Sequence, residues 1–325
     1  MLLRYHLPAV KLLPALLLSL CCFAAHAWPT KPVRIVVAYP PGGGIDVLAR
    51  QLADKLTPAW GQPVVVENKP GANTILAADA VAKSGDSHTI LMTTDATFSI
   101  NPHLYAKLPF DTQRDFIPVT MLVLLQQLLV AHPSLPANSL PELISLAKSK
   151  PGSINYASYG SGSQPHLAGE MLKNKAGIDL VHVPYKGISL AVPAVMAGEV
   201  QLTFAGIASS MAPLKSGRIK ALAIGGAQRS PLLPQVPTFS ELGYPEVETH
   251  AWFGLFLPAG SAPQALARIY EDSRKIISEP DFRQKQLIEK GYEVVGSSPD
   301  EFAAYLRTDS ASRARAVKIS GARAE

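Results

Sequence analysis

The sequence predicts an α/β protein of two domains, each built around a mainly parallel sheet. Three observations predict it. Short β-branched runs alternate with helical periods from Val33 onward, the strand runs are continuously apolar, and two long extended stretches interrupt the rhythm. Unbroken apolar strands separated by helices indicate a parallel sheet covered on both faces. The 325 residues suffice for two such units. At 47% hydrophobic and 17% charged, the chain is too apolar to be disordered.

Val33–Tyr39 is a β-branched strand running into Pro40-Pro41-Gly42-Gly43-Gly44, and a helix follows from about Asp46 with Leu48, Leu52 and Leu56 at i, i+4, i+8. Val64–Glu67 is a second strand, Asn68-Lys69-Pro70-Gly71 a turn, and a small-residue helix runs on to Ala82. Thr89–Thr93 is a third strand. Ile117–His132, with Gln126-Gln127 in its middle, reads as a strand that leaves one sheet and feeds another. The alternation then restarts. Ser139-x-x-Glu142 is a capping box opening a helix to about Lys148. Ile154–Ser158, Leu180–Pro184, Val200–Phe204 and Ile219–Ile224 are strands, and Gln164–Ala176, ended by Gly177, and Ile188–Ala197 are helices. A second extended run, Thr249–Leu257, crosses back. Helices at about 263–278, 281–290 and 299–315 follow, with a short strand near Tyr292–Val295. The expected domains are therefore 28–125 plus 254–325 and 126–253.

The N-terminus reads as an export signal. Arg4, His6 and Lys11 accompany an apolar run, Leu12–Ala25, and Ala25-His26-Ala27 supplies a small-x-small site for cleavage after Ala27. The run falls short of the roughly 20 residues of a spanning helix. Lipidation calls for a small residue before the cysteine, whereas Cys21 follows Leu20 and Cys22 follows Cys21. The mature chain is expected outside the cytoplasmic membrane. It has no cysteine, which excludes thiol nucleophiles, thiolate metal sites and disulfides. Its 28 basic residues against 25 acidic ones leave too mild an excess for a nucleic-acid surface.

Three strand-to-helix junctions are rich in glycine and poor in side chains: Pro41–Asp46, Tyr159-Gly160-Ser161-Gly162-Ser163 and Lys186-Gly187-Ile188-Ser189. Glycine admits a ligand close to the backbone, and a helix's first turn offers free N–H groups with partial positive charge. Such junctions hold carboxylate or phosphate at the carboxyl ends of parallel strands. Taken singly, each serves as well merely to close a βα connection; three in two units favour a shared anion cleft. Gly42-Gly43-Gly44 lacks the Gly-Lys-Ser/Thr ending of a phosphate-binding loop. Gly160-Ser161-Gly162-Ser163 is not G-x-S-x-G and has no evident His/Asp partners.

His88, His103, His132, His166, His182 and His250 are scattered without metal-ligand spacing. His166 either hydrogen-bonds a ligand or packs locally. Tyr39 and Phe204 end strands and wall a pocket or belong to the core. Asp46 reads first as an N-cap, with Arg50 one turn later as its partner. Lys186 could attract an acid or stand exposed.

Val33–Gly44 with Asp46 and Ala49-Arg50 resembles the opening of the Bug-type receptors, the periplasmic solute-binding proteins of the tripartite tricarboxylate transporter family. The resemblance continues through Val66–Ala72, Asn101–Tyr105, Leu108–Asp111, His166-Leu167-Ala168, His182–Gly187, Val236-Pro237-Thr238 and Trp252–Leu255, across essentially the whole mature chain. It implies a type II, Venus-flytrap fold closing on a small carboxylate, held largely by backbone N–H groups and water. Carried over, the implied contacts are Tyr39, Gly43, Gly44 and Asp46, with Thr94-Asp95-Ala96 a weaker addition. The second domain would add Ser158, Gly160, Ser161, Gly162, His166, Lys186, Phe204 and position 205.

Three departures bear on the solute. Ile45 stands where the family often has threonine, Ala205 where many members carry aspartate, and Asn73-Thr74 where Gly-Gly is usual. Without an acid at 205, a solute lacking an amino group is expected. The resemblance further implies a periplasmic receptor that passes its solute in transient contacts with membrane transporter subunits. No cofactor or metal is expected, and because one solvent-facing cleft per chain requires no partner subunit, a monomer is expected. A sensor role would share the same closure, and an enzyme would need a placed base or nucleophile that the sequence does not offer.

Overall fold

The structure, a computed structural model, describes residues 28–322 except Ala227 and Glu248. The leader and its cleavage site lie outside the described residues. In the first unit β1 (Val33–Val37) is followed by α1 (Gly44–Trp60), β2 (Val64–Asn68), α2 (Ile75–Ala82) and β3 (Thr89–Thr93). A helical segment then joins Ala96–Ile100 to α3 (Asn101–Leu104), and β4 (Phe116–Ala131) leads out. The second unit holds α4 (Leu140–Ser149), β5 (Asn155–Ser158), α5 (Gln164–Ala176), β6 (Val181–Pro184), α6 (Ile188–Ala197), β7 (Leu202–Gly206), α7 (Ile207–Lys215) and β8 (Lys220–Ile224). The chain then returns as β9 (His250–Pro258), α8 (Pro263–Ser278), β10 (Tyr292–Val294) and α9 (Pro299–Ser320). Neither Ala96–Leu104 nor α7 is expected from periodicity. Both are short, and α7 carries two serines and an internal proline.

The strand order is β2-β1-β3-β9-β4-β7-β5-β6, with β8 and β10 each pairing β4. β4 is the shared member. Up to Gln126 it pairs antiparallel with β9, and from Gln127 with β7, joined by β8 from Leu128. The return crossing lies beside it, where Gln127 N–H donates to the Thr249 carbonyl at 3.1 Å. β1, β2 and β3 run parallel, as do β5, β6 and β7.

Apolar clusters cover both faces of each sheet. Leu48, Leu52 and Leu56 of α1 meet Ile269, Ile276 and Ile277 of α8 on one face of the first, and Ala77, Ala78 and Val81 of α2 meet Phe302 of α9 on the other. In the second unit α4 and α5 cover one face and α6 and α7 the other. Burying each such aliphatic side chain is worth about 1.5–3 kcal/mol against exposure.

Strand direction places the loops. β3 and β4 both run antiparallel to β9, so β3 and β1 point the way β4 travels, toward the second unit. β7 opposes β4, so β7 and β5 point back toward the first. The carboxyl ends of the two parallel sets therefore face one another across the Gln126–Gln127 crossing.

Candidate functional site

The first loop is shaped by one carboxylate. The helix begins at Gly44 with Gly43 as N-cap, so Asp46 sits in the first turn and is not the cap. Its Oδ2 accepts the Gly42 N–H at 2.9 Å and Arg50 Nε at 3.1 Å, and its Oδ1 accepts Asn68 Nδ2 at 2.8 Å. Asn68 Nδ2 also donates to the Tyr39 carbonyl at 3.0 Å, so both ends of the loop hang on this pair. Burial alone would raise the Asp46 carboxyl, but the bonds from Arg50, Gly42 and Asn68 outweigh it and hold the pKa below its ordinary value. Asp46 is thus a builder of the loop, its oxygens already engaged. An Asp46→Ala chain should lose about 2–3 kcal/mol of stability. Because the folded pKa is depressed, the wild-type advantage should be present above the ordinary carboxylate range and fade as pH falls through it. Urea unfolding of both chains at pH 7 and pH 3.5 checks this.

Past Gly71, the loop after β2 keeps a glycine-like backbone at three residues that are not glycine. Ala72, Asn73 and Thr74 have φ of 45°, 48° and 76°, a conformation that costs a β-branched residue most. A ladder of side chains holds it. Asn73 Nδ2 donates to Asn101 Oδ1 at 2.6 Å, Asn101 Nδ2 returns to the Asn73 carbonyl at 2.7 Å, and Thr74 Oγ1 meets Thr97 Oγ1 at 2.7 Å.

After β3, Thr94, Asp95 and Ala96 are all buried. Thr94 Oγ1 bonds the Tyr39 hydroxyl at 2.8 Å, and burial raises the tyrosine's pKa so that it stays protonated. Asp95 faces Arg313 of α9 at 3.4 Å, and burial pushes its carboxyl up to about 6. Thr94 thus holds the Tyr39 hydroxyl, and of the four residues only Tyr39 keeps part of its surface open.

In the second unit Ser158 is wholly buried, with Oγ 3.0 Å from the Gly160 carbonyl, 3.1 Å from the Gly160 N–H and 2.7 Å from His182 Nε2. Gly160 and Gly162 take φ of 126° and 76°, open to glycine and costly for other residues. The Gly162 N–H donates to His166 Nδ1 at 2.9 Å, so that nitrogen serves the loop and is not available to a solute. Ser161 stays partly open, Lys186 is exposed, and Gly187, with φ of 114°, precedes α6. Phe204 is no pocket wall. Its ring packs in the core with Phe239, 6.1 Å between centroids, and its carbonyl accepts the Tyr159 hydroxyl at 2.6 Å. Ala205 belongs to the apolar cluster with Leu128, Ala157 and Ile207, so an aspartate at this position would bury its carboxylate among those side chains.

The two sets of loops meet. A Cβ on Gly162 would overlap the Leu104 side chain of α3, and one on Gly291 would overlap Ile207 at the start of α7. Tyr292, next in the chain, lays its hydroxyl where a Cβ on Gly44 would lie, and its ring meets Phe253 edge-on at 5.8 Å. Burial lifts its pKa to about 12, keeping the hydroxyl a donor beside the N-terminus of α1. Tyr292, Leu104, Asn68 and Arg313 carry no local signal for a site, because each reaches it only through the fold. A cavity of about 360 Å³ lined by Asn138, Lys220, Val236 and Leu242 lies at the amino end of β8, opposite the loops. Lys220 there is held by the Leu135 carbonyl at 2.6 Å and Asn138 Oδ1 at 2.8 Å. Among the described residues no cluster of His, Cys, Asp or Glu could hold a metal, and no helix is long and apolar enough to cross a membrane.

Comparison with known proteins adds independent findings. The family model of the tripartite tricarboxylate transporter family receptor matches residues 48–321. Protein BugT of Bordetella pertussis is 32% identical over 306 residues, 92% of this chain and 92% of that protein. The structure of Rpa4515 of R. palustris with adipate superposes with a TM-score of 0.85 at 32% identity, covering 91% of this chain and 99% of the other. MatC of Rhodopseudomonas palustris with bound malate gives 0.82 at 29% identity, over 89% and 100%.

Proposed function

This chain belongs to the tripartite tricarboxylate transporter receptor family, and from that premise we propose that it captures a small organic carboxylate between its two units in the periplasm and delivers it to a membrane transporter. Its lobes in this reading are 28–125 with 254–325, and 126–253, moving as a monomer. The observation that carries the proposal is the facing of the two sets of carboxyl-end loops across the β4 crossing. The first brings the N-terminus of α1 with Gly43, Gly44 and the Tyr39 backbone, and the second brings Gly160, Ser161 and the start of α6 with Gly187. Backbone N–H groups at helix starts suit a carboxylate without a dedicated lysine or arginine. A solute touching both lobes stabilises the closed arrangement, because its contacts to one lobe are incomplete when the lobes part. The adipate and malate held by related structures fit the same chemical class.

The test is a thermal-shift panel on mature protein unfolded and refolded to strip carried ligand, with dicarboxylates including adipate and malate, monocarboxylates, amino acids and sugars. A true solute at about a hundred times its dissociation constant should add about 2.7 kcal/mol, a rise of several degrees. A selective shift with acids, and the acid recovered unchanged, is expected. A shift confined to sugars, or conversion of the acid to a product, would overturn the reading.

A further inference from the structure

We infer that His166 and His182 are a positioning pair, which holds the Gly160–Ser163 loop in the shape proposed to receive the solute only while the Nδ1 lone pair of His166 is free. The inference rests on the proposed function for its purpose, but its geometry stands alone. The two imidazoles stack with centroids 3.9 Å apart and planes 10° from parallel. Each is wired to a different point of the same loop. His166 Nδ1 accepts the Gly162 N–H at 2.9 Å, which requires a free lone pair on that nitrogen. His182 Nε2 meets Ser158 Oγ at 2.7 Å, and Ser158 Oγ in turn lies 3.1 Å from the N–H and 3.0 Å from the carbonyl of Gly160. Gly160 and Gly162, the two left-handed residues of the loop, are therefore set by the two rings of one stack.

The charged neighbours leave this balance with the neutral forms. On α5, Glu170 accepts the Tyr156 hydroxyl at 2.7 Å and Lys173 Nζ at 3.0 Å, so its charge is shared with a lysine that opposes protonation of both rings. From β5, Tyr156 packs its ring 5.1 Å from His182. From the far side α9 meets α5 through apolar Leu167 and Val317. Burial lowers the pKa of both histidines, that of His182 to about 4, with the second ring adding to the effect on His182.

The sign follows from linkage. The formed loop takes up protons less readily than a loose one, so acid favours the loose form. Capture should weaken from the ordinary histidine range, about 6.5, down to about 4 and then level off. A proton on Nδ1 of His166 would also displace the Gly162 N–H directly.

The experiment has one arm that needs no solute. Imidazole and amide NMR signals of the mature protein are followed from pH 8 to pH 4. Both rings should titrate below the ordinary value, His182 near 4, and the Gly162 amide should shift along with His166. In the second arm, affinities for adipate and malate are measured at pH 7.5 and pH 5. His166→Asn keeps an acceptor oxygen near the Nδ1 position and should hold the loop while flattening the pH dependence. His166→Phe keeps a ring for stacking, offers no acceptor, and should weaken binding about tenfold at both pH values. A His166 that titrates at its ordinary value, a Gly162 amide indifferent to it, or a His166→Asn profile that still falls like wild type would each overturn the pair. If neither acid binds, the solute reading is in question, while the NMR arm still decides the positioning role.

Discussion

An Arg313→Met chain is expected to lose about 3–5 kcal/mol of stability, the largest effect of any single side chain here, because it strands buried carboxylates. Arg313 is 1% exposed. It donates to the His250 carbonyl at 2.6 Å and lies 3.4 Å from both Asp95 and Asp309. Asp309 also receives Trp252 Nε1 at 2.9 Å. One guanidinium thus ties α9 to the loop after β3 and to the first residue of β9, at the crossing between the units. Methionine fills comparable volume but removes the guanidinium from Asp95 and Asp309, leaving the His250 ring, 3.7 Å from Asp309, as the remaining partner of the pair. The deficit should depend on pH. Burial already pushes Asp95 up to about 6, so the folded state holds its proton more tightly than the unfolded chain does. That contribution is present below the ordinary carboxylate value and is lost as pH rises through about 6. Losing Arg313 widens the gap, so the variant should be closer to wild type at pH 5 than at pH 7.5. Urea unfolding at both values checks the claim, with Asp95→Asn/Arg313→Met recovering part of the loss. A single variant within about 1 kcal/mol of wild type at pH 7.5 would mean that the cluster is not compensated through Arg313.

The same network marks where sequence reading stops. What depends on neighbours along the chain is legible. Leu48, Leu52 and Leu56 all bury against the sheet, Ser139 caps α4 by accepting the Glu142 N–H, and Gly177 ends α5 in the left-handed conformation. The long apolar run with two glutamines in its middle is the strand shared by both sheets, with pairing passing over between those glutamines. What depends on contacts across the fold is not legible. Asp46 suggests a cap and is instead the anchor of the loop before it, because its partners Asn68 and Gly42 come from the next strand end and the preceding turn. His166 suggests a ligand contact, and its Nδ1 serves Gly162, a bond whose meaning appears only with His182 stacked behind it. Phe204 suggests a strand end, but β7 runs from Leu202 to Gly206, so Phe204 lies mid-strand and its side chain packs in the core of a sheet covered on both faces.

Gly162→Ala should weaken solute capture by about tenfold or more while costing the fold little beyond the about 1–2 kcal/mol of a left-handed alanine. Two physical effects act at this position. Its φ of 76° favours glycine, and a methyl group would overlap the side chain of Leu104, which belongs to the other unit. The first effect is paid wherever the loop is formed. The second exists only where the two units touch, so in the proposed closing of the lobes it falls on the closed arrangement. Leu104 cannot simply turn away, because it packs with Ile100, Leu167 and Val317. The two effects separate in a paired variant. Leu104→Ala removes the obstacle, and Gly162→Ala/Leu104→Ala should regain most of the lost affinity for an acid identified by thermal shift, leaving the backbone strain. Affinity is measured by calorimetry and stability by unfolding of the solute-free chains. If the double variant binds no better than Gly162→Ala alone, the contact between loop and helix has no part in closure. The loss would then belong to the shape of the glycine loop itself, the property that His166 and His182 are inferred to control.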